Sequence, residues 1–181
     1  FRWIRLHYLY PEAVTDELIE TIAGERKILH YLDIPIQHCN DGILSAMRRR
    51  TTKAELITLF DKLRAAMPDV VIRTSLICGL PGETDEAFEE LCDFLREQKL
   101  QRAGVFQYSR EEGTLAARME DQVDDDTARR RVELVVDLQS RVMDEWNESR
   151  LGETVEVLCE GFDPQEGCYV GRTWADSPEI D

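Results

Sequence analysis

The residues best suited by type and spacing to do chemistry lie in Val71-Ile72-Arg73-Thr74-Ser75-Leu76-Ile77-Cys78-Gly79-Leu80-Pro81-Gly82-Glu83-Thr84. The stretch opens as an apolar, β-branched run, which predicts a buried strand. It breaks at Gly79, Pro81 and Gly82, and Thr84 is placed to cap a helix from about Asp85. A glycine-rich strand-to-helix turn lets a flat or anionic ligand approach the backbone closely. The same residues also serve a plain connection, and the turn by itself does not decide between the two.

Alternate residues of a strand share a face, so Arg73, Ser75, Ile77 and Gly79 are expected to point one way. Arg73 suits a ligand carboxylate or a salt bridge to a neighbouring strand. Ile77 suits the face of a flat ring or the core. Gln37 offers a donor and an acceptor to a ligand, or caps a strand end. Glu83 suits a ligand hydroxyl or the N-terminus of the helix that follows. His7 and His38 fall at strand ends, where a site would lie, although a lone histidine is more often structural. Tyr108 either stacks on a ring or closes the bottom of a barrel. If His7 faces inward, so does Arg5, with Leu6 and Tyr8 facing out. The runs Arg48–Arg50 and Arg129–Arg131 are expected as solvated faces.

The elements that must position these residues follow in order. Trp3 to Tyr10 predicts a strand, and Thr15 caps a helix from Asp16 to Ala23. Ile28 to Ile36 predicts the next strand, and Asn40 caps a second helix. Thr52 and Glu55 have the spacing of a capping box for a third helix, ending before Pro68. After the central strand come a helix from about Asp85 to Glu97 and a strand from Arg102 to Tyr108. A long helix is expected from about Thr127 to Arg150. Four alternations of strand and helix imply an α/β fold with parallel strands, as a barrel or an open sheet. In a barrel, ligands gather at the C-terminal ends of the strands. Those ends carry His7, Gln37, His38, the Gly79–Glu83 turn and Tyr108. Beyond Gly152 the pattern changes to two short strands, Thr154 to Glu160 and Cys168 to Arg172, read as the start of a second, small β-barrel domain.

The chain has 181 residues and a formal net charge of −15, which argues against broad nucleic-acid binding. No apolar run approaches the roughly 20 residues of a membrane span. The five cysteines, Cys39, Cys78, Cys92, Cys159 and Cys168, have no metal-ligand spacing, and read as thiols of a reducing cytoplasm.

Four stretches, Trp3–Pro11, Tyr31–His38, Thr74–Thr84 and Val105–Ser109 with Glu112-Gly113-Thr114, resemble the radical S-adenosylmethionine (SAM) methylthiotransferases. A fifth, Gly171–Asp181, resembles the opening of the TRAM domain of the RimO type, which modifies an aspartate of a small-subunit ribosomal protein. The resemblance implies strands three to six of a partial, TIM-like (β/α) barrel at residues 1–151, then the start of a TRAM domain at 152–181. It implies SAM as cofactor, contacted by Gln37, Arg73, Ser75, Ile77, Gly79, Glu83, His38, His7 and Tyr108. It also implies two four-iron four-sulfur clusters, whose ligand cysteines are expected outside these residues, so that the fragment alone would be inactive. Ribosomal protein, SAM and an electron donor are the implied partners. The last 30 residues hold eight acidic residues against one arginine, which suits a basic protein better than a tRNA.

Overall fold

Four parallel strands stand in the order of the chain: β1 (Ile4–Leu6), β2 (Ile28–Asp33), β3 (Val71–Cys78) and β4 (Arg102–Gln107). The computed structural model describes residues 1–178; Glu179, Ile180 and Asp181 of the TRAM-like stretch lie outside the described residues. Parallel neighbours need crossovers, and helices supply them. These are α1 (Asp16–Gly24), α2 (Asp41–Ala46) with α3 (Lys53–Ala66), and α4 (Asp85–Gln98). The expected partial barrel is thus present.

Short polar residues start the helices as their spacing predicts. Thr15, Asn40 and Thr84 each accept a backbone N–H three residues on, and Thr52 and Glu55 close a reciprocal box. A long helix, α5 (Asp125–Ser149), begins two residues before the expected start because Asp124 is its cap, accepting from the Thr127 N–H at 3.0 Å.

β3 alternates as the sequence predicts. Thr74, Leu76 and Cys78 are buried towards the helices, while Arg73, Ser75 and Ile77 are half-buried on the opposite, concave face. The helix side carries the main core, with Leu32, Ile34, Ile72 and Leu76 meeting Phe60, Leu63, Leu91 and Leu95. Each such side chain contributes about 1.5–3 kcal/mol. α5 packs against β3, β4 and α4, with Val135 in the core and Gln139 Nε2 donating to the Leu100 carbonyl at 2.6 Å.

Three strands depart from expectation. β1 ends at Leu6, not Tyr10, because Tyr8 turns into the left-handed region at φ 58°. Asp33 holds that turn: the Tyr8 N–H donates to its carboxylate and the Leu9 N–H to its carbonyl. β2 ends at Asp33, not Ile36, and resumes pairing with β3 only at Gln37, whose φ is 70°. In the second sheet, β5 (Leu158–Asp163) starts after Thr154 because its antiparallel partner β6 (Cys168–Arg172) is diverted at Thr173, where Asp176 closes a turn.

Beyond β6 the chain returns to the concave face of the parallel sheet. Ala175 is buried with Leu29, Tyr31 and Val71, flanked by Trp3, Trp146 and Trp174. Arg5 Nη2 donates to the Trp174 carbonyl at 2.8 Å, and Arg102 pairs with Asp176.

Candidate functional site

The C-terminal ends of the strands carry two constructions. The first is the turn after β3. Gly79 stands at φ +81°, and a Cβ there would lie 2.4 Å from Ala128 Cβ of α5, so glycine is required by both conformation and contact. Glu83 is buried and bends back over the turn. One carboxylate oxygen accepts from the Gly79 N–H at 2.8 Å and the Leu80 N–H at 3.2 Å. The other accepts from Arg131 Nη1 at 3.0 Å. Arg131 also donates to the Glu83 carbonyl at 2.8 Å and to Asp85 at 2.6 Å. The α5 approach adds a bond from the Gly82 N–H to the Asp121 carbonyl, 2.7 Å. Burial pushes the Glu83 carboxyl up, while Arg131 and the two amides draw it back.

This corrects the reading of Arg129–Arg131 as a solvated run: Arg129 and Arg130 are exposed, but Arg131 is buried. Glu83 has both oxygens engaged inside the protein, and its observed work is shaping the turn. The space beside Gly79 is filled by Ala128 of α5.

Around the turn lies an apolar patch. Ile43, Leu80 and Ala87 are buried in it, with Met47, Ile77 and Tyr108 packed against them. Tyr108 sits at the C-terminal end of β4, its N–H donating to the Cys78 carbonyl at 2.8 Å, so it does not close the barrel bottom. Its hydroxyl is buried without a partner among the described residues. His38 is fully buried. Its Nδ1 accepts from the Asn40 N–H at 3.0 Å, which puts the proton on Nε2, and Nε2 has no partner among the described residues. Burial lowers the His38 pKa to about 4, so the ring is neutral at pH 7.

The second construction is tied to Asp33. This fully buried carboxylate binds Arg73 Nη1 at 2.8 Å and lies 3.6 Å from His7 Nδ1. Of the two roles weighed for Arg73, the structure displays the salt bridge to the neighbouring strand. His7 and Arg5 share the concave face, as parity predicts, with Arg5 over the Tyr31 ring and Leu6 in the core. His7 Nε2 lies 3.4 Å from Ser177 Oγ. Ser75 lends its carbonyl to the Gln37 N–H at 2.9 Å, and the Ile77 N–H donates to the Gln37 carbonyl at 2.9 Å. Gln37 therefore links the two constructions.

Burial raises the Cys39 and Cys78 thiols to about 12, so neither is a thiolate at neutral pH. Among the described residues no group of His, Cys, Asp or Glu is arranged to hold a metal. No described helix is long and apolar enough to cross a membrane.

The radical SAM superfamily profile matches residues 1–95, more than half of the chain. The chain belongs to the radical SAM superfamily. A TRAM domain profile matches residues 151–181. The fold of this radical SAM chain is similar to coproporphyrinogen III oxidase (HemN) from Escherichia coli, a radical SAM enzyme, with TM-score 0.63 and 16% identity over 77% of this chain and 32% of that one. It is also similar to archaeal Elp3 from Methanocaldococcus infernus, with TM-score 0.52 and 15% identity over 65% of this chain and 27% of that one. In sequence it is 48% identical to the ribosomal protein uS12 methylthiotransferase RimO of Lachnoclostridium phytofermentans, over 99% of this chain and 41% of that protein. The RimO of Pelotomaculum thermopropionicum is 49% identical over 99% of this chain and 40% of that protein. The radical SAM chain thus spans about two fifths of the length of these relatives.

Proposed function

We propose that this chain is part of a radical SAM methylthiotransferase that adds a methylthio group to the β-carbon of an aspartate in ribosomal protein uS12. The observation that carries the reading is the 45–49% identity to RimO proteins over 99% of the chain. An acidic final segment agrees with a basic protein substrate and disfavours the tRNA-modifying alternative.

SAM, when bound with a reducing cluster, supplies the hydrogen-abstracting carbon radical, the sulfur and methyl groups coming from a second cluster and a second SAM. The residues present fit the adenosine end of SAM. Ile77, Met47 and Tyr108 offer an apolar surface, and the buried Tyr108 hydroxyl beside it has no partner among the described residues. Ile77 would meet the ring face. Ser75, two positions from Ile77 on the same face, and Gln37, hydrogen-bonded between them from the neighbouring strand, stand nearby for ribose or methionyl groups. Gly79, Glu83 and Arg131 would hold the turn in place, and His7 and Arg73 would keep Asp33 fixed. His38 would stay neutral behind the site.

The described residues do not fit an iron–sulfur cluster, because no set of thiols converges. The two clusters are assigned to cysteines elsewhere in the protein, with an external electron donor, and the protein to the cytoplasm. The test is incubation of the full-length protein with SAM, sulfide, a reductant and uS12. The expected result is a uS12 mass gain of one methylthio group, lost when the target aspartate is replaced by asparagine. An unmodified uS12 beside a modified tRNA would overturn the choice of substrate.

A further inference from the structure

We propose that the cleft between the ends of β1 and β2 is a carboxylate-binding subsite, with Arg49 as its anchor. The inference rests on the methylthiotransferase reading and adds a residue to it. The cleft has a volume of about 170 Å³ and is lined by Tyr8, Leu9, Tyr10, Pro35, Gln37 and Arg49. This is below the roughly 300 Å³ at which pockets enclose a whole drug-sized ligand. It therefore admits the end of a larger molecule, such as one acidic side chain or the methionyl end of SAM.

Three observations support a carboxylate. Arg49 is half-buried and stacks on Tyr10, its guanidinium carbon 5.2 Å from the ring centroid. No carboxylate among the described residues pairs with it, in a chain holding 37 acidic residues against 22 basic ones. A stacked guanidinium presents its remaining N–H groups as a planar fork, the geometry that binds carboxylates in a two-pronged way. Second, the backbone of the cleft is strained on purpose. Tyr8 and Gln37 are non-glycine residues at φ 58° and 70°. Such conformations are costly for residues with a side chain and collect at ligand sites. Here they are held by the Asp33 carboxylate at Tyr8 and by the Ser75 carbonyl at Gln37. Third, the aromatic wall is open: Tyr8 is 78% and Tyr10 58% exposed. Gln37 continues the cleft to β3, so a group held by Arg49 lies one strand away from Ser75 and Ile77.

Two sources of carboxylate meet this chemistry, the target aspartate of uS12 and the methionyl carboxylate of SAM, and the experiment separates them. Full-length protein with its clusters is compared with R49M and R49K. Affinity for SAM is measured by equilibrium dialysis. Affinity for uS12 is measured against uS12 carrying asparagine at the target position. If the aspartate is the ligand, R49M weakens uS12 binding at least tenfold, no longer distinguishes aspartate from asparagine, and leaves SAM affinity unchanged. If the methionyl group is the ligand, SAM affinity falls at least tenfold and uS12 affinity holds. R49K recovers part of either loss, since lysine keeps the charge but not the fork, and the exposed neighbour variant R50M changes neither. Wild-type affinities for SAM and for both uS12 forms that ignore Arg49 overturn the proposal, as does an equal loss on both forms of uS12 with SAM unaffected. A protein that cleaves no SAM yet discriminates uS12 through Arg49 keeps the subsite and sinks the enzymatic reading. A SAM-cleaving protein with Arg49 silent does the reverse.

Discussion

After β3 the chain turns with the turn's carboxylate fully engaged, whereas the cleft at the ends of β1 and β2 has two exposed tyrosines and a guanidinium that no carboxylate among the described residues pairs with. Glu83, Arg131 and two backbone amides close the first region from within, and α5 sits against Gly79. In the second region, Asp33 and the Ser75 carbonyl hold strained backbone in place while side chains face out. The first plan makes a rigid ledge for something flat. The second makes a small mouth with charge to offer. A site that takes one ligand by shape and another by charge needs both kinds of wall.

The closed turn after β3 depends most on Arg131. Replacing it with methionine leaves Glu83 buried and unpaired, and unfolding in urea should show a loss of about 3–5 kcal/mol. A loss under 1 kcal/mol would mean that the turn does not depend on α5. Gly79→Ala should cost about 3 kcal/mol, part for the positive φ and part for the clash with Ala128. Adding Ala128→Gly should return the steric part only, read by the same unfolding curves.

His38 makes stability depend on pH. Its folded pKa of about 4 lies below the unfolded 6.5, so below pH 6.5 the unfolded chain takes up a proton that the folded chain refuses. Stability should therefore fall as pH drops from 6.5 towards 4, by up to about 3 kcal/mol. His38→Gln should flatten that slope in unfolding measured across the window. The smallest effect is expected in the open cleft. Tyr8→Gly relieves the left-handed strain at the cost of a freer unfolded chain, a net stabilisation of about 1 kcal/mol or less.

Local signals carried much of this structure. Thr15, Asn40, Thr52 and Thr84 mark four helices, and the alternation from Arg73 to Cys78 marks which residues of β3 share a face, though not which face meets the core. The contacts that give the site its shape are not local. Arg131 stands 48 residues from Glu83, and nothing in three consecutive arginines marks the third as buried. The return of Trp174 and Ser177 to Arg5 and His7 spans about 170 residues of chain. Tyrosine and glutamine carry no signal for positive φ, so the strand patterns in the sequence run past the ends of β1 and β2. Those angles follow from Asp33 and Ser75, which become neighbours only in the fold.

The most direct test of the central claim is made on the full-length protein purified without oxygen: iron and sulfide per chain, then release of 5′-deoxyadenosine from SAM under reductant. About eight irons, as two four-iron clusters, and reductant-dependent 5′-deoxyadenosine are expected. A protein that stays free of iron after reconstitution and leaves SAM intact would contradict it.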